Sequence, residues 1–266
     1  MYVSCERSLS FRGKENFSCL CPSCQNGYWG VAGRCFCRIS IDGTVEQTPL
    51  CRCLDKMTYC SETQTYWGIS RRSPDNVFVL DGTLREIDCL GVRAAGVTAM
   101  MLDDIWYDGE RQVLWLVTGQ RIYRFNRNGE RLGEFLGAPH GTEYRGVCTL
   151  GASVFVAAVK HSCLWLYSYT TDGILLDQVS LGGGYGACNL YPVSRQENPQ
   201  ICVFTTRDYR FPVCLDVVLA HGPKCDCRAD QSHRSLVSVE CVSEAHELHM
   251  TCAVRENESM ECYHKS

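Results

Sequence analysis

Apolar and polar residues alternate in short runs along this chain, and the stretch RIYRFNRNGERLGEF, residues 121–135, shows the pattern well. Alternation with a period of two places Tyr123 and Phe125 on one face of a strand and Ile122 and Arg124 on the other. Asn128-Gly129 then predicts a two-residue hairpin turn. Because a lone hairpin buries too little apolar surface to be stable, this one is expected to pack against further strands.

The hairpin belongs to a longer unit of sequence that recurs along the chain. Glycines that follow short β-rich runs are spaced by 39 to 49 residues, at Gly43, Gly82, Gly129, Gly173 and Gly222. The fourth unit divides into the four strand-like runs YRGVCTL, SVFVAAV, CLWLYSY and ILLDQVSL. A period in the forties with four strands per unit is typical of β-propeller blades.

This repeat predicts the fold class: an all-β protein forming one six-bladed β-propeller over residues 1–266, with four strands per blade. The last unit has only three strand-like runs, so the N-terminal strand is expected to close the sixth blade. The predicted closing pair joins residues Val3 to Ser10 with residues Met260 to His264.

Two segments, GYWGVAGRCFCRISIDGT and TYWGISRRSPDNVFVLDGT, resemble the YWTD blades of six-bladed receptor propellers, with Gly30-Val31 and Gly68-Ile69 where those blades have Thr-Asp. The third and fourth units are similar to NHL-type or TolB-like blades. The resemblance implies a six-bladed propeller. It implies no particular activity, since propellers include enzymes, receptors and scaffolds.

Composition narrows the possible partners. The chain has a net charge of -4 and no apolar run of 18 or more residues, which argues against general nucleic-acid binding and against a membrane span. Its start, MYVSCERSLSFRGKENF, lacks an apolar stretch of signal-peptide length. We therefore expect a cytoplasmic protein that binds neither nucleic acid nor membrane.

Cysteine is unusually frequent, with 20 residues in the chain. Since many alternate along strands, most are expected to be reduced and buried as small apolar residues. Disulfides are a second interpretation, and a thiolate metal site is a third. The weak candidates for such a metal site are Cys19, Cys21, Cys24, Cys35 and Cys37.

No catalytic motif for a nucleophile, a nucleotide or a cofactor is recognisable in the sequence, and no cofactor is expected. The connections are more informative, because in a propeller the loops between second and third strands share a face with the loops between blades. Every second-to-third connection carries a basic residue, for example Arg34, Arg71, Arg121, Lys160 and Arg207. This predicts an electropositive face.

The predicted function is therefore non-catalytic binding of an anionic small molecule or an acidic protein segment at the basic face. Arginine and lysine would neutralise charge, and tyrosine would supply flat walls with hydroxyl donors. The candidate ligand-binding residues are His140, Tyr144, Arg145, Lys160, His161, Tyr185, Arg207 and Arg210.

Two other functions remain open at this stage. A metal-assisted hydrolase or lactonase at the channel mouth would need inward oxygen ligands, for which Asp104, Glu143 and Asn189 are the candidates. A scaffold that binds through its outer strands would instead show an apolar patch on a blade edge.

Overall fold

The structure, a computed structural model, describes residues 1–8, 17–23, 27–40, 42–92, 102–183, 185–193, 199–207 and 211–219. These residues form twenty strands in five antiparallel sheets of four strands each. Among them, no helix is long and apolar enough to cross a membrane.

The chain begins with β1 (Tyr2–Ser8), which belongs to the fifth sheet. The first sheet contains β2 (Cys19–Ser23), β3 (Gly27–Ala32), β4 (Cys35–Ser40) and β5 (Val45–Pro49). The second contains β6 (Lys56–Cys60), β7 (Thr65–Ile69), β8 (Asn76–Leu80) and β9 (Glu86–Gly91). The third contains β10 (Leu102–Asp108), β11 (Val113–Thr118), β12 (Arg121–Asn126) and β13 (Arg131–Gly137).

The fourth sheet contains β14 (Thr142–Leu150), β15 (Ser153–Lys160), β16 (Cys163–Thr170) and β17 (Leu175–Gly183). The fifth contains β18 (Tyr185–Val193), β19 (Gln200–Arg207) and β20 (Phe211–Val218), with β1 as its outer strand. The strands of the fourth sheet match the four runs predicted from the sequence to within three residues at each end.

The five sheets are the blades of a β-propeller. The first strand of each sheet is innermost, and the inner strands β6, β10, β14 and β18 contact one another in turn. The circle closes because β18 also contacts β2, and β6 contacts β3 of the first blade. The described residues thus form a closed ring of five blades, and the prediction of six is wrong for them.

Ring closure by the N-terminal strand is confirmed, but its predicted partner is wrong. Strand β1 pairs with β20, from Tyr2 opposite Val218 to Ser8 opposite Val213. Residues 260–264, the predicted partner, lie outside the described residues. The expectation failed because it divided all 266 residues into six blades, whereas β18 already contacts β2 and closes a ring of five.

The third and fourth strands of blades two to four are joined by the same three-residue loop. In blade three, the Asn126 amide donates to the Glu130 carbonyl (2.9 Å), and Gly129 has φ of 82°. The Asn126 side-chain oxygen accepts from the amides of Asn128 (3.0 Å) and Glu130 (2.9 Å), which fixes the turn. The predicted two-residue turn is therefore wrong, and in blade two the left-handed position belongs to Leu84 (φ 67°), not to Gly82.

The core lies between blades, and both faces of β12 contribute to it. Phe125 packs toward blade two with Trp67 and Tyr107, whose rings stack at 4.2 Å. Ile122, from the opposite face of the same strand, packs toward blades four and five. Of the described cysteines, Cys19, Cys21, Cys37, Cys60, Cys148, Cys202 and Cys214 are buried.

Candidate ligand-binding site

At the centre of the ring, all five inner strands contribute to one buried polar cluster. The Lys56 ammonium donates to the Asn189 side-chain oxygen (2.9 Å), and the Asn189 amide donates to Asp104 Oδ1 (3.1 Å). The backbone amide of Val147 donates to Asp104 Oδ2 (3.1 Å). The buried thiol of Cys19 on β2 lies near enough for its pKa to respond to Lys56 and Asp104. We call Lys56, Asp104 and Asn189 the channel cluster.

Burial dominates the electrostatics of the channel cluster. Lys56 is 5% exposed, Asp104 2% and Asn189 7%. Desolvation raises the pKa of Asp104 to about 7, although the Lys56 charge and the Val147 amide partly oppose this shift. Burial likewise raises the pKa of Cys19 to about 11, so this thiol stays protonated at neutral pH. The channel cluster therefore holds a cation beside a carboxyl group that titrates close to neutrality.

Above the cluster, the basic residues of the predicted face are partly neutralised. Arg145 pairs with Glu143 and lies 3.5 Å from Asp103. Arg52 contacts Glu86 through two nitrogens (2.6 and 2.7 Å), and Arg121 lies 2.6 Å from Glu134. Because Glu86 and Glu134 come from outer strands, the loop residues alone overstate the positive charge of this face.

A cleft of about 310 Å³ opens on blade four beside the β15–β16 connection. Its walls are the side chains of Trp165 and Tyr167, whose rings stack at 6.3 Å with an interplanar angle of 25°. The other lining residues are Lys160, His161, Cys163 and Gln178. None of the lining residues is a carboxylate, so this part of the face keeps its positive charge.

The register of the strands explains why the cleft exists. Cys163, Trp165 and Tyr167 alternate along β16 and are half-buried, while the residues between them are buried. Trp165 lies between Ala158 on β15 and Ser180 on β17, which are too small to cover an indole ring. Tyr167 lies opposite Gln178, which brings that amide into the cleft.

The turn at the end of the cleft carries backbone strain. His161 (φ 50°) and Ser162 (φ 63°) are adjacent non-glycine residues in the left-handed region. They form a two-residue connection, since Lys160 pairs directly with Cys163. Such turns favour Asn-Gly because both positions require positive φ. This strain holds His161 at the rim of the cleft.

We expect the double variant His161→Asn with Ser162→Gly to be more stable than the native protein by about 1 kcal/mol, because it relieves the strain at both positions. Urea unfolding midpoints measure the change. Ser162→Val should instead destabilise the protein, since a β-branched side chain is disfavoured at positive φ. Equal stability of all three proteins would contradict strain at this turn.

The structure brings together only two of the eight candidate binding residues, Lys160 and His161, in one cleft. Tyr144 is buried and donates to the Gly137 carbonyl (3.1 Å), and desolvation raises its pKa. His140 is exposed on the β13–β14 connection. Tyr185 and Arg207 are paired in register on β18 and β19, and Arg210 lies outside the described residues.

Sequence reasoning missed Trp165, Tyr167 and Gln178, the apolar wall and the amide. The signal was present in CLWLYSY, where large aromatic residues occupy one face of a strand. Of the metal candidates, Cys24 lies outside the described residues, and Cys19 and Cys21 are buried. In the part of the chain that the structure describes, no three His, Cys, Asp or Glu side chains are placed to hold a metal ion.

No protein-family model matches the chain, and no curated protein matches it. Solved structures resemble it in fold. The match to luciferin-regenerating enzyme has a TM-score of 0.54 and 9% identity, and covers 80% of each chain. The match to BBS1N, solved in complex with ARL6DN, has a TM-score of 0.46 and 11% identity over 77% of this chain and 78% of that one. A Bacteroides caccae protein of unknown function matches with a TM-score of 0.36 and 11% identity over 55% of this chain and 53% of that one.

At these identities the similarity to solved structures shows the fold alone. The protein is a β-propeller with at least one half-open, cation-rimmed aromatic cleft on its surface.

Proposed function

We propose that this protein is a non-catalytic binding propeller that takes an anionic, planar small molecule into the cleft of blade four. The observation that carries the proposal is the composition of the cleft, which combines two stacked aromatic rings with Lys160 and His161 and no carboxylate. A flat apolar group would pack on the rings, and the Lys160 ammonium would offset its charge. The volume of about 310 Å³ is at the small end of ligand pockets and suits one or two fused rings.

The test compares 2-naphthoate with neutral 2-naphthol at pH 7 by isothermal calorimetry. We expect 2-naphthoate to bind more tightly, because only the carboxylate interacts with the cationic rim. Lys160→Gln should weaken 2-naphthoate binding about fivefold, the equivalent of one exposed charge contact. Trp165→Leu should weaken both ligands, because stacking on the indole contributes about 1 kcal/mol.

Arg72→Gln is the matched control, since Arg72 is exposed on the same face in blade two, away from the cleft. It removes the same charge and should leave binding unchanged. Tetraglutamate tests recognition of an acidic protein segment; it should bind weakly, having charge but no ring to stack. Equal affinity for 2-naphthoate and 2-naphthol, or tighter binding of tetraglutamate, would contradict this function.

The structure offers less support for the metal-assisted hydrolase. Its candidate ligands Asp104 and Asn189 are hydrogen-bonded to each other, and the Asn189 oxygen accepts from Lys56. The third candidate, Glu143, pairs with Arg145. Because these oxygens already have protein partners, a cation would have to displace Lys56 and Arg145 to bind them.

Two further expectations from the sequence stand as proposals. Exposed thiols such as Cys51 and Cys89 persist best in a reducing compartment, which favours the cytoplasm. A relation to NHL-type or TolB-like repeats rests on the strand and turn pattern of blades three and four.

A further inference from the structure

Two polar side chains are paired across strands on the face of blade three that packs toward blade four. Trp115 on β11 lies directly opposite Arg124 on β12. Trp115 belongs to the core cluster shared with blades four and five, and Ile122, on the same face of β12 as Arg124, belongs to it too. Side chains directly opposite each other on neighbouring strands have Cβ atoms about 5 Å apart. The two N–H groups therefore come from one small area of the blade.

Both side chains carry a buried donor without an acceptor. Among the described residues, neither Trp115 Nε1 nor Arg124 Nε has a hydrogen-bond partner. Trp115 is only 2% exposed, so its indole N–H is shielded from bulk water. A buried donor left without an acceptor costs about 1 to 3 kcal/mol, and native proteins rarely leave two such groups side by side.

Arg124, which is half-buried, also lacks a charged partner in the described part of the chain. No carboxylate of the described residues forms an ion pair with it, although Arg52, Arg111, Arg121 and Arg145 all have such partners. Its guanidinium lies 5.8 Å from the centre of the Phe135 ring, and Trp115 meets the same ring edge to face at 5.0 Å. An aromatic ring offers a cation only weak compensation compared with an anion.

There is also open space beside Arg124. Its register neighbour on β13 is Gly133, which adopts φ of 144° at a bulge, and a Cβ placed there would meet no atom within 4 Å. Two N–H donors without acceptors, a cation without an ion-pair partner and open space therefore occur together. A small negatively charged hydrogen-bond acceptor would suit such a site.

We propose that Trp115 and Arg124 form a binding site for a small monovalent anion of halide size between blades three and four. The indole and guanidinium N–H groups donate to the anion, and the guanidinium neutralises it. The site is independent of the aromatic cleft of blade four, since neither residue lines that cleft. Water would also satisfy the two donors, but only an anion would in addition form an ion pair with the Arg124 guanidinium.

The test measures thermal unfolding in sodium bromide and in sodium gluconate at the same ionic strength, because gluconate has the same charge as a halide and is a much larger anion. Bromide should raise the unfolding temperature by several degrees when its concentration is about 100 times its Kd. The reason is that an anion that binds only the folded state stabilises that state. Trp115→Phe, which keeps an aromatic ring and removes the N–H, should reduce this bromide effect. Arg124→Met should abolish it.

Arg131→Met is the matched control. Arg131 also lies over an aromatic ring of blade three, at 5.0 Å from the centre of Tyr123, but has no buried indole opposite it. Its bromide effect should equal that of the native protein.

Because either test variant could fold poorly, anomalous diffraction from a bromide-soaked native crystal gives a second readout: a peak between Trp115 and Arg124 is expected. Unfolding temperatures that do not distinguish bromide from gluconate, or a bromide soak without that peak, would overturn the proposal.

Discussion

Lys56→Met should destabilise the protein by about 2 kcal/mol more at pH 8.5 than at pH 5, since pH 8.5 lies about 1.5 units above the Asp104 pKa of about 7 and each unit corresponds to about 1.4 kcal/mol. Removing one member of a buried charge pair costs about 3 to 5 kcal/mol when the other is left charged in the interior. At pH 8.5 Asp104, whose pKa is about 7, is ionised and needs the Lys56 charge. At pH 5 Asp104 is protonated, so little attraction is lost. Urea unfolding at both pH values measures the difference.

The double variant Lys56→Met with Asp104→Asn tests whether the stability lost in Lys56→Met comes from the interaction of Lys56 with Asp104. It should be more stable at pH 8.5 than Lys56→Met alone, since no uncompensated charge stays buried. Arg38→Met is the control for loss of a positive charge, because Arg38 is exposed on β4. If Lys56→Met costs the same at both pH values, the two groups do not interact electrostatically.

The pH dependence of the native protein follows from the same carboxyl group. The folded-state pKa of Asp104, about 7, lies above its ordinary value of 3.8, so the folded state holds this proton more tightly than the unfolded state does. The stability that this proton linkage contributes is fully present below about pH 4 and is lost as the pH rises to about 7. Asp104→Asn removes the linkage, so its stability relative to the native protein should improve over that window.

The channel cluster shows what could not be predicted from the sequence. Lys56 has the local sequence pattern of a loop cation between two blades, yet it is buried at the start of inner strand β6. Its partner Asn189 is 133 residues away, and Asp104 is 85 residues from Asn189. Local alternation predicts the face of a strand on which a residue lies, but not which side chains meet where five inner strands converge.

The hairpins were predictable for the opposite reason. Their strands are neighbours in sequence, and their alternation records which face is buried, as the opposite packing of Ile122 and Phe125 shows. The blade count was not predictable in this way, because closing the ring depends on which two strands meet at its ends. The aromatic cleft lies between these cases. Its polar rim residues, Lys160 and His161, were predicted from their loop position. Its rings, Trp165 and Tyr167, match the pattern of core residues and are half-exposed because their strand neighbours are small.

The outer strands also bear on the scaffold interpretation. Ile174, Leu175 and Leu176 are exposed in succession where β17 begins, and Leu132 and Ile87 are exposed on the outer strands of blades three and two. This is the apolar edge that a scaffold would show. Nothing in the described residues indicates what covers it, so the cleft, with its charge and shape, supports the more specific function.

Deleting residues 1–8 should lower the unfolding temperature by about 10 °C or more, because a domain of this size loses about 2 to 4 °C per kcal/mol. Strand β1 pairs with β20 over its whole length, and each net hydrogen bond contributes about 1 kcal/mol. The deletion also removes Val3 from the core cluster and the pairing of the terminal ammonium with Asp177. It exposes the edge of β20, so the variant should aggregate more readily. Differential scanning calorimetry and light scattering measure both effects.

A synthetic peptide of residues 1–8 should restore much of the lost stability when added to the deletion variant, since an extended peptide can add to an exposed sheet edge. The same peptide with proline in place of Val3 is the matched control; it lacks one backbone donor and should rescue less. Tyr2→Ala in the full chain should cost little, because Tyr2 is 48% exposed. An unchanged unfolding temperature after the deletion would show that β1 does not close the fifth blade.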